Sequence, residues 1–333
     1  MNSDIFDFEI SRDRIAQYPL ENREDARLMV VNRKDADIFH LKFSDIISFF
    51  SPGEVIVLNN TKVILARLIG KKETGGKIEV LLLRKQNDGI WEVLIRGKIK
   101  PETKIVFEQI QAVVLGKNEY GSYTVKFNTD DDEKIFSIGK LPLPPYIKRD
   151  PEQKDYQYYQ TVYAEKIGSV AAPTAGLHFT ENILNQLKNK GIIVEFLTLH
   201  IGWASFRILD KSSKNYVPPE YFEISVKTSD VINRALIEKR KICAVGTSTV
   251  RALESAFKDN RILPTRGFTE LFIRPGYVFH CVDKMVTNFH LPGSTHLYMV
   301  CAFGGNKLIE RAYRTAIEKG YRFYSYGDAM LII

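Results

Sequence analysis

Cysteine is scarce in this 333-residue chain: Cys243, Cys281 and Cys301 stand far apart and form no CxxC pair. That excludes a disulfide scaffold and a paired-thiol redox centre, and it suits the reducing cytoplasm. No apolar run approaches the roughly 18 residues of a membrane-spanning helix. The opening MNSDIFDFEI carries early acids and no basic stretch, so no signal peptide is expected. Standard ligand signatures are also missing. There is no GxGxxG, Walker A, HExxH or GxSxG pattern. A dinucleotide site, a P-loop, a zinc protease and a serine-hydrolase elbow therefore lack support. No internal repeat is visible, and the only biased segment, the acidic 130–133, reads as a solvated turn.

Charge of one sign is only mildly in excess. Lys and Arg number 47 against 40 Asp and Glu, for a net +7. That permits a polyanionic partner, but a solvated surface with spare lysines gives the same balance. Hydrophobic residues at 44% and charged ones at 26% place the chain among ordinary globular proteins. Its length suits one large or two ordinary domains.

The pattern divides in three. Up to about 66, Leu28–Val31 and Glu54–Leu58 read as strands, Phe43–Phe50 as a helix and Asn59-Asn60-Thr61 as a polar tip. Between 67 and 150, short β-branched runs recur at 77–83, 91–95, 104–107, 112–115 and 123–127. Glycine turns separate them. That spacing predicts a small antiparallel barrel or sandwich. Basic residues outnumber acidic ones here, and Arg96, Lys98, Lys100 and Lys104 cluster on one connection. They form either a phosphate-facing patch or a solvated loop. Pro142, Pro144 and Pro145 then stiffen a return linker.

From 151 onward helices and strands alternate. Helices are expected at 180–190, 229–240, 250–257, 297–303 and 308–319. Strands are expected at 192–199, 242–245 and 322–326. The expected fold is α/β: a mostly parallel-sheet main domain of residues 1–66 and 151–333, with an inserted antiparallel β domain at 67–150.

Ligands in such folds bind at the carboxyl ends of strands. Four tips there carry chemistry. The segment 244–251, AVGTSTVR, is a strand, a small-residue turn and a helix start. It suits an anion, or it is an ordinary capped helix. The segment 168–180, GSVAAPTAGLHFT, is poor in charge and rich in small residues. Either its backbone approaches a ligand with His178 as a proton-transfer group, or it is a tight packing loop with a core histidine. His200 ends a strand, and TNFHLPGST at 287–295 opens a helix with Ser294 or Thr295 as N-cap. Asp328 is expected to end the last strand. His178, His200 and His290 have no metal-ligand spacing, and no metal site is expected.

At these loops the chain resembles the S-adenosylmethionine:tRNA ribosyltransferase-isomerase family of queuosine biosynthesis. The resemblance runs through FDFEI, AQYPL, VLNNTKVILARL (57–68), LPLPPYI (141–147), YQTVYA (159–164), GSVAAPTAGLHFT, AVGTSTVRALES (244–255), TNFHLP and SYGDAML (325–331). It implies transfer and isomerisation of the ribosyl part of S-adenosylmethionine onto 7-aminomethyl-7-deazaguanine in tRNA. The product is epoxyqueuosine, with adenine and methionine released. It implies a small β-barrel as the insert, S-adenosylmethionine as a consumed substrate, no tightly bound cofactor, and a cytoplasmic monomer. By the same resemblance His178, His290 and Asp328 are candidates for proton transfer. Asn59, Thr61, Ser169, Thr174, Gly176, His200, Asn288 and Ser294 are candidates for binding S-adenosylmethionine or the base. Thr247, Thr249 and Arg251 suit the methionine carboxylate, and Arg96, Lys98 and Lys100 suit tRNA phosphates.

The chain also departs from the family pattern. Asn60 stands at an acidic position, Leu65 at a proline, Glu24 at an aspartate and His296 at an apolar residue. The family's Arg-Pro-Gly is reduced to Arg96-Gly97. Its Gly-x-Gly-Thr-Phe reads Gly202-Trp203-Ala204-Ser205-Phe206, and the two histidines of a His-x-Met-His-x-Glu stretch are Asn215 and Pro218. Proline cannot take over a histidine's proton transfer. If those histidines only order a loop or help bind tRNA, the activity survives in a divergent form. If they carry chemistry, the chain is a paralogue with another acceptor or a non-catalytic nucleic-acid-binding protein.

Overall fold

The computed structural model describes residues 9–118, 121–202 and 217–333. The chain opens with strands β1 (Arg27–Val31), β2 (Ile38–Lys42) and β3 (Val55–Asn59). Six follow: β4 (Arg67–Lys72), β5 (Lys77–Asn87), β6 (Ile90–Arg96), β7 (Lys104–Val106), β8 (Gln111–Lys117) and β9 (Tyr123–Phe127). The last six are β10 (Ile193–Leu199), β11 (Glu220–Ile224), β12 (Ile242–Val245), β13 (Thr265–Thr269), β14 (Lys284–Asn288) and β15 (Ala329–Ile332).

Nine of these form one mixed sheet in the order β13-β11-β10-β3-β12-β14-β15-β1-β2. Its centre, β10-β3-β12-β14, is parallel. Strand β15 turns antiparallel to β14, and β11 and β13 add antiparallel at the far side. The sheet is buried on both faces, and its alternation shows why. Val55 and Val57 pack into one core while Ile56 and Leu58 pack into the other. All four are fully buried. Side chains of this size stabilise by about 1.5–3 kcal/mol each on burial, so a charge at any of them would break the sheet.

Strands β4-β5-β6-β9-β8-β7 are antiparallel throughout, and β7 returns to pair with β4, closing a six-stranded barrel. Ile78, Val80 and Leu82 fill its interior, and Lys77 and Glu79 alternate outward. The sequence left barrel and sandwich open; the β4–β7 pairing decides for the barrel.

Helices α1 (Glu181–Asn189), α2 (Val226–Ile237), α3 (Thr247–Ala256), α4 (Thr295–Gly304) and α5 (Asn306–Glu318) surround the sheet. Three expectations need correction. Residues 43–49 wind as a 3-10 helix. Helix α2 starts at Val226 because the Ser225 hydroxyl caps the Thr228 N–H, and α3 starts at Thr247, right after the φ +90° Gly246. Residues 322–326 are not a strand. Tyr324 adopts φ +69°, and the Gly327 N–H donates to the Tyr324 carbonyl, so the aromatic run turns. Its rings are buried for packing, which gives it the composition of a strand without the extension.

No described helix is long and apolar enough to cross a membrane.

Candidate active site

The parallel centre gathers the carboxyl ends of β10, β3, β12 and β14 along one sheet edge. Strand β15 begins there too, with Ala329 opposite Asn288. This edge therefore holds Asn59, His200, the Gly246 turn, Asn288, His290 and Asp328.

The first group is structural. Asn59 is fully buried. Its amide oxygen accepts from the N–H groups of Thr61 and Leu199, and its Nδ2 donates to the Leu199 carbonyl and the Ser248 hydroxyl. The Ser169 hydroxyl donates to the Ala171 carbonyl and accepts from the Ile201 N–H. The polar tip is thus a buried clamp joining β3 to β10. Thr61 and His200 meet at 2.7 Å, Oγ1 to Nδ1. The imidazole stacks on Tyr221 at 5.4 Å, and burial lowers its pKa to about 4. Gly168 leaves room for it: a Cβ there would come within 2.7 Å of His200 Nε2.

The second group is a hydrogen-bonded chain. The Thr174 hydroxyl donates to Asn288 Oδ1 at 2.7 Å, and Asn288 Nδ2 donates to His178 Nε2 at 3.1 Å. Asn288 is held at the end of β14, and Thr174 and His178 lie on one 3-10 turn, Thr174–His178. With the amide so oriented, Nε2 is an acceptor and the ring proton sits on Nδ1. His178 is buried against Phe43. Burial, helped by the Arg23 and Arg322 cations, lowers its pKa to about 3. Gly176 serves packing: a Cβ there would sit 2.1 Å from the Tyr163 hydroxyl.

His290 approaches from the other side. Thr287 and Asn288 are neighbours in β14 and so face opposite sides of the sheet. Thr287 Oγ1 lies 2.6 Å from His290 Nε2, and the His290 N–H donates to the Tyr313 hydroxyl. His296 stacks on His290 at 5.0 Å. Burial lowers both imidazoles, His296 to about 4 and His290 well below its ordinary value. Ser294 is the N-cap of α4: its hydroxyl accepts from the Leu297 N–H and donates to the Leu291 carbonyl.

Three of the expected site residues have partners within the protein. The Thr249 hydroxyl donates to the Val245 carbonyl. Arg251 pairs with Glu220 at 2.5 Å, and its other guanidinium nitrogen donates to the Pro218 and Thr269 carbonyls. This is a buried staple between α3 and β11–β13. Burial raises the Glu220 pKa, against the pull of Arg251. Asp328 is 1% exposed, and its two oxygens accept from the Arg27 and Arg322 N–H groups. It clamps the start of β1 to the turn before β15, so its expected place at a strand end is corrected, and both oxygens are occupied. Of the α3 start, Thr247 keeps a place at the helix N-terminus beside Gly246.

Composition did not single out Thr287, Tyr313 or Glu220 as partners. Thr287 was legible as the residue three before His290. Glu220 was visible only as the retained acid of the altered 215–220 stretch. Trp203–Phe206, Asn215 and Tyr216 lie outside the described residues. Arg96 is exposed at the end of β6, with Lys98 and Lys100 on the turn that follows. No group of metal-ligating side chains occurs among the described residues.

A family model described as Queuosine biosynthesis protein matches residues 3–332. A curated relative from Sulfurihydrogenibium sp., named S-adenosylmethionine:tRNA ribosyltransferase-isomerase, is 46% identical over 98% of this chain and 98% of its own. One of the same name from Halothermothrix orenii is 46% identical over 100% of both chains. The crystal structure of S-adenosylmethionine tRNA ribosyltransferase from Thermotoga maritima is 37% identical, with a TM-score of 0.58, covering 99% of this chain and 100% of its own. On these matches and on a fold that spans both the mixed sheet and the closed barrel, this chain belongs to the queuosine-biosynthesis family.

Proposed function

We propose that this chain transfers and isomerises the ribosyl moiety of S-adenosylmethionine onto 7-aminomethyl-7-deazaguanine in tRNA, releasing adenine and methionine and leaving epoxyqueuosine. The observation that carries the reading is the Thr174–Asn288–His178 chain at the sheet edge. It presents a neutral imidazole of fixed tautomer beside the small-residue turn.

The sulfonium acidifies its neighbouring methylene, and an unprotonated imidazole is the group to take that proton. Burial keeps His178 unprotonated at neutral pH, and its Nε2 takes that proton once the Asn288 amide releases it. His290, bonded to Thr287, is proposed to assist the departing adenine at a ring nitrogen. Thr247 and the α3 amides are proposed for the methionine carboxylate, with His200 and Thr61 bordering the base. Asp328, Arg251, Asn59 and Ser169 hold these elements in place. Residues 67–150 are proposed as the inserted domain, with Arg96, Lys98 and Lys100 facing tRNA phosphates. The reading takes one copy of the chain, in the cytoplasm, with S-adenosylmethionine consumed as substrate and no resident cofactor.

Incubation with S-adenosylmethionine and tRNA bearing the aminomethyl base, followed by digestion and mass spectrometry, tests it. Adenine and epoxyqueuosine are expected in equal amounts. His178→Ala is expected to lower turnover by about 100- to 10,000-fold, the usual worth of a positioned proton-transfer group. Unchanged turnover removes His178 from the chemistry. Tight S-adenosylmethionine binding without adenine release would instead indicate a different acceptor.

A further inference from the structure

One end of the barrel carries a basic groove that the chemistry at the sheet edge does not use. Lys72, Lys98, Lys100 and Lys104 line it, around Ile99 and Tyr123, and it encloses about 540 Å³. Arg96 stands exposed one residue before the turn that forms its wall. Glu73 and Glu102 also border it, so four cations face two carboxylates. The Lys104–Glu73 pair, at 3.4 Å, is exposed on both sides. Such a pair is weak in water and leaves the cation accessible.

The wall is built rather than floppy. Gly97 adopts φ +139°, and a Cβ there would sit 2.6 Å from Ile78 Cδ1. Only glycine makes that turn, which sends Lys98 and Lys100 outward from the barrel rim. The Lys72 ammonium donates to the Lys98 carbonyl at 2.7 Å and fixes the turn from the opposite side.

Register sets its distance from the point where the chain enters the barrel. The chain enters and leaves the barrel where Arg67 pairs with Lys140. Lys72 lies five residues farther along β4, opposite Ile105 of β7. At about 3.3 Å per residue the groove is ~17 Å beyond that junction. An extended polyanion can span that distance.

We propose that this groove seats the backbone of a tRNA stem while the loop base occupies the sheet edge. The proposal rests on the tRNA reading above and adds where the rest of the RNA lies. Double-stranded nucleic acid is a dense polyanion, with a charge about every 1.7 Å of axis in DNA, so an RNA stem crossing the barrel rim presents several phosphates to these lysines. Such contacts fix register and orientation without reading sequence.

The test compares the wild type with Lys98→Glu/Lys100→Glu, using fluorescein-labelled full-length tRNA and a stemless loop RNA as probes. For full-length tRNA the variant is expected to bind about tenfold more weakly or worse, and its log–log salt slope to fall by about 1.4–1.8, or 0.7–0.9 for each lost contact. Binding of the stemless loop and the KM for S-adenosylmethionine are expected to be unchanged. Unchanged tRNA affinity and slope overturn the proposal, as does an equal loss for both RNAs. A wild type that binds no tRNA at any salt overturns the underlying tRNA reading instead. The milder Lys98→Gln/Lys100→Gln pair, expected to show a smaller loss of the same kind, serves if the charge reversal does not fold.

Discussion

Arg251 lies in a helix start whose composition suits an anion, yet its charge is already matched inside the protein. Glu220 takes one guanidinium nitrogen, and two carbonyls take another. Both side chains are nearly fully buried. Removing the arginine strands a carboxylate in a medium that cannot solvate it, a loss of about 3–5 kcal/mol. Arg251→Ala is therefore expected to unfold at much lower urea than the wild type. Glu220→Gln in the same chain is expected to recover part of that loss, because it removes the stranded charge. A selective rise in the KM for S-adenosylmethionine with stability unchanged would restore the carboxylate-receptor role. Asp328 teaches the same lesson. A lone acid near a strand end suggests chemistry in the sequence, and only the structure reveals two backbone N–H groups bound to it. One of them, the Arg27 N–H, comes from 301 residues away in the chain, which no local pattern encodes.

The turn from Thr174 to His178 is an element made of small residues for a packing reason. Tyr163 presses its ring and hydroxyl toward Gly176, and that hydroxyl is buried without a hydrogen-bond partner. Gly176→Ala is expected to destabilise by about 1–3 kcal/mol, the usual cost of overpacking, and to lower turnover by displacing His178. Tyr163→Phe alone is expected to be neutral or stabilising, since it removes an unsatisfied polar atom. The double variant is expected to regain stability, because the phenylalanine vacates the space the new methyl needs. Urea titrations of the four proteins check this, and a strictly additive double would refute the contact. At this scale much was legible. Alternation placed the barrel strands, and Thr180 and Gly191 bounded α1. The aromatic run at 322–326 misled because buried rings and β-propensity share a composition. The clash at Gly176 was invisible, since nothing local shows that Tyr163 would meet it.

Across the molecule five histidines share one direction. His40, His178, His200, His290 and His296 all have lowered pKa values, with burial the largest cause in each. The folded state keeps them neutral, while the unfolded chain protonates them near 6.5. As pH falls below about 6.5 the unfolded state therefore binds more protons, and stability drops by up to about 1.4 kcal/mol per pH unit for each such group. The loss continues to about 4 for His200 and His296 and to about 3 for His178. Glu220 and Asp328 act oppositely, since burial raises their values and the folded state takes up their protons first. Five imidazoles against two carboxyls fix the net sign between pH 6.5 and 4.5. The thermal midpoint is expected to fall steadily across that window, and His200→Gln is expected to flatten the slope by about one proton. A midpoint that holds level from pH 7 to 4.5 would mean that these imidazoles are solvated in the folded protein, and would remove the neutral His178 on which the proposed reaction depends.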